Sequence, residues 1–210
     1  MKLYDFPPAA NAQRVRVFMA EKGITLESVE LNVPEDKQFA EPLNTINPFH
    51  CVPFLELDDG TIIAESLAIC RYLEELHPEP SLFGQTAAQR GVIEMWTRRF
   101  ELDAFLPMLH AVRNHVPMFE GRVVPGTRTE LAQLPELVQR GTEIIDIFLN
   151  RVEPHFAQNR FAAGERFSIA DITGFFAIRM TKAVNMDIAG SHPNVTRWFE
   201  EIAARPAFQA

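Results

Sequence analysis

Along the first third of the chain, short apolar runs alternate with stretches of helical periodicity; further on, only the helical period remains. Residues 2–6 read as a strand, stopped by Pro7 and Pro8. Asn11 suits a helix N-cap, because its side chain can accept a backbone N–H of the first turn. Val15, Phe18, Met19 and Lys22 fall at helical spacing, and Gly23 is a good stop. Residues 24–31 form a second strand and 38–46 a short helix ended before Pro48. Residues 54–57 and 61–64 flank Asp58-Asp59-Gly60, a hairpin signal. The pattern then predicts a helix over 65–76, with Leu67, Cys70, Leu73 and Leu76 available for burial and Pro78 beyond its end.

Pro78, Pro80, Ser81 and Gly84 break the pattern, so the chain divides into an α/β domain (1–77), a linker (78–85) and an all-helical domain (86–210). Residues 87–116 predict one long helix kinked at Pro107. A loop with Gly121, Pro125 and Gly126 follows, then helical tracts over 130–152 (with Pro135 inside), 168–184 and 194–204.

Composition narrows the class. The chain has 210 residues, 47% hydrophobic and 23% charged, as in soluble globular proteins. The net charge is −8 and no basic run stands out, which argues against nucleic acid as a partner. The two cysteines, Cys51 and Cys70, make no disulfide framework, and MKLYDF is no signal peptide; a cytoplasmic location is expected. Nothing reaches about 18 consecutive apolar residues, so no membrane span is expected. No metal-ligand spacing is found.

Three segments carry a resemblance: Asn47-Pro48 leading into Val52-Pro53-Phe54-Leu55; Glu65-Ser66 opening the helix after the hairpin; and Phe167-Ser168-Ile169-Ala170-Asp171 opening a later helix. With Asn11-Ala12-Gln13-Arg14-Val15-Arg16 and Glu21-Lys22-Gly23, their order resembles the cytosolic glutathione transferases, of bacterial theta- or beta-like type. The resemblance implies a thioredoxin-like domain followed by a helical one, glutathione as co-substrate and no metal. It also implies a cis Val52-Pro53 bond that offers Val52 N–H and C=O to the cysteinyl backbone of glutathione. Ser66 and Glu65 would take the γ-glutamyl carboxylate and ammonium, at a helix end that favours anions. Gln38 matches a position serving the glycine end, and Cys51 stands where relatives carry lysine or glutamine for that purpose. Ser168 and Asp171 read as a capping box with Phe167 and Ile172 as its staple, a folding element and not a catalytic one.

One departure bears on the chemistry. A free thiol has a pKa of about 8.5, so activation needs preferential stabilisation of the thiolate. Relatives use a serine, tyrosine or cysteine after the first strand; here Ala9, Ala10 and Asn11 stand in place of a serine-type pattern. The Asn11 amide and the adjacent helix N–H groups remain as donors. The second substrate is expected among Phe6, Pro7, Phe100, Asp103 and Met108, an apolar lining suited to a small electrophile. The resemblance also implies a homodimer with Phe49 reaching into the second subunit. The alternative is a non-catalytic glutathione- or ligand-binding, regulatory protein of the same fold, which the missing hydroxyl favours and the retained glutathione grip opposes.

Overall fold

The structure, a computed structural model, describes residues 1–209. It divides into two compact units: Met1–Pro80 together with Val124–Arg128, and the remainder from Ser81 onward.

The first unit is built on four strands, β1 (Lys2–Asp5), β2 (Glu27–Glu30), β3 (Phe54–Glu56) and β4 (Ile62–Ala64), in the order β2-β1-β3-β4. β1 pairs parallel to β2 and antiparallel to β3, and β3 pairs antiparallel to β4, with Tyr4 opposite Phe54 and Phe54 opposite Ala64. Helix α1 (Ala10–Lys22) joins the parallel pair, as a parallel connection requires. It ends at Gly23, whose left-handed φ of 65° lets its N–H reach back to the last turn. Ala12, Val15 and Phe18 recur along its buried face and pack on α3 (Ser66–Leu76), which contributes Ile69, Cys70 and Leu73. A buried ion pair, Lys22 Nζ to Glu74 at 2.6 Å, ties α1 to α3, and the same ammonium donates to Pro80 O. This is the thioredoxin-like arrangement expected. The short helix expected over 38–46 is instead a 3-10 turn, Lys37–Phe39, and α2 (Leu43–Ile46), with Pro42 at the break. A proline in the middle would have removed a helical hydrogen bond.

The second unit is helical: α4 (Ala87–Phe100), α5 (Leu106–His115), α6 (Pro135–Phe156), α7 (Ile169–Arg179) and α8 (Pro193–Ala203). The expected kink at Pro107 takes the form of a π-helical turn, Glu101–Phe105, between α4 and α5, and Pro107 then sits in the first turn of α5. Pro135 likewise opens α6 and does not interrupt it. The core is aromatic: Phe100 stacks on Trp198 at 5.5 Å and meets Phe148 and Phe156. The capping box forms as expected. Asp171 is fully buried and accepts from Ser168 N–H (2.9 Å), Ala162 N–H (2.7 Å) and Trp198 Nε1–H (2.9 Å). Among the described residues no helix is long and apolar enough to cross a membrane, and no group of three or more His, Cys, Asp or Glu side chains is placed to hold a metal.

Candidate functional site

The start of α3 is the most constrained point of the first unit. Glu65 takes φ 69° and ψ 119° and hands the chain into the helix at Ser66. A glutamate held there costs on the order of 1–3 kcal/mol, and such strain gathers where a ligand needs the backbone placed. The first N–H groups of α3 have no partner within the helix, and the end carries a partial positive charge. Ser66 is buried; its Oγ accepts from Arg14 Nη1 at 2.8 Å and faces Asn11 Oδ1 at 3.4 Å. Arg14 is only 2% exposed, so a whole positive charge lies beside an already positive helix end. Sequence reasoning did not single out Arg14. The available signal was its place four residues before Phe18, on the buried face of α1.

Val52-Pro53 is cis, and the strand ladder begins only at Phe54. Asn47, itself buried, donates from Nδ2 to Cys51 O at 2.8 Å and so fixes the chain just ahead of Val52. Gln38 sits in the 3-10 turn Lys37–Phe39 and is 4% exposed, and its Oε1 is buried without a hydrogen-bond partner. An unsatisfied buried oxygen costs about 1–3 kcal/mol, which a ligand N–H would offset. The Cys51 side chain is half-buried against Gly126. Cys70 lies in the core, where burial pushes its thiol up to about 12; it remains protonated.

Asn11 is not the N-cap expected. The Phe6-Pro7-Pro8-Ala9 turn closes with Ala9 N–H to Phe6 O at 2.9 Å, Ala9 becomes the cap residue, and α1 starts at Ala10. Two alanines favour the helix strongly enough to begin it two residues early. Asn11 therefore lies in the first turn, with its oxygen toward Ser66 and its amide nitrogen left as a donor. Phe6 and Pro7 are half-buried in the turn ahead of it. In the second unit Asp103 is exposed on the π-helical turn. Phe100 and Met108 are fully buried in the helical core.

Known proteins match over both units. Residues 3–81 match the family described as glutathione S-transferase, N-terminal domain, and residues 108–206 its C-terminal domain. Glutathione S-transferase 2 of Saccharomyces cerevisiae is 29% identical over 209 residues, covering 99% of this chain and 87% of its own. A glutathione S-transferase domain-containing protein of Marinobacter aquaeolei superposes with a TM-score of 0.89 at 31% identity, covering 99% of this chain and 100% of the other. A glutathione S-transferase of class Gtt2 from Vibrio parahaemolyticus gives 0.85 at 32%, covering 100% and 96%. With both domains matched in order along nearly the whole chain, this protein belongs to the glutathione S-transferase family.

Proposed function

We propose that this protein joins the thiol of glutathione to a small apolar electrophile. The observation that carries this is the cluster at the start of α3: a strained Glu65, a buried Ser66 and a buried Arg14, beside the cis Val52-Pro53 turn. The γ-glutamyl carboxylate takes the Ser66 hydroxyl and the free N–H groups of α3, with the Arg14 charge behind them. Exposed Glu65 takes the ammonium. Val52 pairs with the cysteinyl backbone, which brings the sulfur toward the start of α1. There the Asn11 amide and the first N–H groups of α1 hold it as thiolate. The thiol proton leaves to solvent, the sulfur attacks the electrophilic carbon, a C–S bond forms and the leaving group departs as an anion. Phe6 and Pro7 stay in this reading as neighbours of the electrophile. The protein works as a homodimer in the cytoplasm, where reduced glutathione and free cysteines coexist.

Calorimetry tests the grip. Ser66→Ala is expected to weaken glutathione binding by about 1–3 kcal/mol, the usual cost of losing a hydrogen bond to a charged group. Unchanged affinity in both Ser66→Ala and Glu65→Ala would reject this site. A rate assay with a generic aryl halide separates an enzyme from a binding protein: saturable glutathione binding without turnover favours the regulatory alternative, for which the absent hydroxyl at Ala9 is the supporting observation.

A further inference from the structure

Five residues from the second half of the sequence, Val124–Arg128, belong to the first unit. They grip two separate stretches of it. Arg128 forms an ion pair with Asp36 and lies over the Phe39 ring at 4.7 Å, so it holds both flanks of Gln38. Gly126 O faces His50 Nδ1 at 3.3 Å, and the Gly126 backbone packs on Phe49 and Cys51. Gly126 has φ +69°, and a Cβ there would run into the Phe49 carbonyl oxygen and come to 2.8 Å from Cys51 Sγ, so only glycine fits. Asp36 (φ 63°) and His50 (φ 53°) are both non-glycine residues in the left-handed region, and both are held by this segment. His50 also bonds through Nε2 to Asn44 Oδ1 at 2.9 Å, which ties α2 into the same cluster.

The two gripped stretches carry Gln38 and Cys51. Glutathione is a tripeptide. If its first residue sits at Ser66 and its second pairs with Val52, its third lies beyond Val52, away from Ser66 and beside Cys51. There the buried, partnerless Gln38 Oε1 accepts the N–H of the cysteinyl-glycine bond. We propose that Val124–Arg128 is a strap that builds the glycine side of the glutathione site, with Gly126 and Arg128 as positioning residues for Cys51 and Gln38. The strap rests on the glutathione reading above. Arg128 touches no ligand in it; it acts through Gln38.

The test compares glutathione with γ-glutamylcysteine, which lacks only the glycine, by calorimetry on the full chain. The unmodified protein is expected to bind glutathione more tightly. Arg128→Ala should weaken glutathione about three- to fivefold, as loss of a half-exposed ion pair and a ring contact does, and leave γ-glutamylcysteine within about twofold. Asp36→Ala should do the same. Gln38→Ala should abolish the preference, and adding Arg128→Ala to it should cost nothing more, because the two act in series. Ser66→Ala is the contrast: it should weaken both ligands equally. Equal weakening of both ligands by Arg128→Ala, additivity with Gln38→Ala, or no preference for glutathione in the unmodified protein would overturn the strap. Binding of neither ligand by the unmodified protein would overturn the glutathione reading itself, and the strap with it.

Discussion

At the residue scale, the proposed activation of the thiol turns on Asn11. It is placed in the first turn of α1 and its oxygen faces Ser66, so its amide nitrogen is left as a donor that no capping duty consumes. A donor aimed at an anion in a dry site is worth about 2.7–4 kcal/mol, but the backbone N–H groups of α1 survive any side-chain change. Asn11→Ala should therefore lose only part of this. We expect the pKa of bound glutathione to rise by about one unit and turnover to fall about tenfold, with affinity less affected. Ultraviolet titration of the bound thiolate follows the first effect directly. Because Ala9 and not Asn11 is the cap residue, the variant should fold as stably as the parent, and alanine is the better helix former. A folded Asn11→Ala protein with unchanged thiol pKa and turnover would assign activation to the backbone alone.

At the element scale, the start of α7 couples stability to pH. Burial pushes the Asp171 carboxyl up to about 6, against the pull of the Ala162, Trp198 and Ser168 donors. The ordinary value for aspartate is near 3.9. Between these values the unfolded chain has already lost the proton that the fold retains, so the stability this group contributes falls as pH rises from about 4 to about 6. The loss is on the order of 3 kcal/mol and is complete above the folded value. Glu153, held low by Asn194 and Val195 despite its burial, works in the opposite direction, so only a comparison isolates Asp171. Denaturant titrations of the parent and of Asp171→Asn across this window should diverge in slope. Parallel curves would mean that the donors, not burial, set its ionisation.

The elements were largely legible because each carries its own punctuation. Gly23, the Asp58-Asp59-Gly60 turn and the Ser168–Asp171 box all act through bonds within a few residues. The errors have one cause, proline and alanine at helix starts. Pro135 reads as an interruption but opens a helix, and Ala10 starts α1 before the residue best suited to cap it. In the site, Val52-Pro53 and Glu65-Ser66 were readable as motifs. Arg14 was missed because a buried arginine imitates a surface residue in any hydrophobic pattern. The strap was invisible because Arg128 and Asp36 are 92 residues apart, and only the folded chain brings them together.

At the scale of the whole molecule, the proposed dimer is argued from Phe49. It is 77% exposed, and an aromatic ring at a loop tip is costly to leave in water. In a symmetric dimer the same contact is made twice, so one substitution removes two. Sedimentation at micromolar concentration should give a dimer that Phe49→Ser weakens at least tenfold, on the order of 1–2 kcal/mol per ring. A monomer would defeat the assembly, and a dimer indifferent to Phe49→Ser would defeat the residue. The aromatic stack of the helical core has a separate consequence. Both tryptophans, Trp96 and Trp198, lie in the second unit, while the fully buried Cys70 thiol lies in the first. Tryptophan emission is therefore a natural optical reporter of one half of the chain, and alkylation of Cys70 a natural chemical reporter of the other. Traced through the same denaturant series, coincident curves would describe one cooperative molecule and separated curves two independent ones.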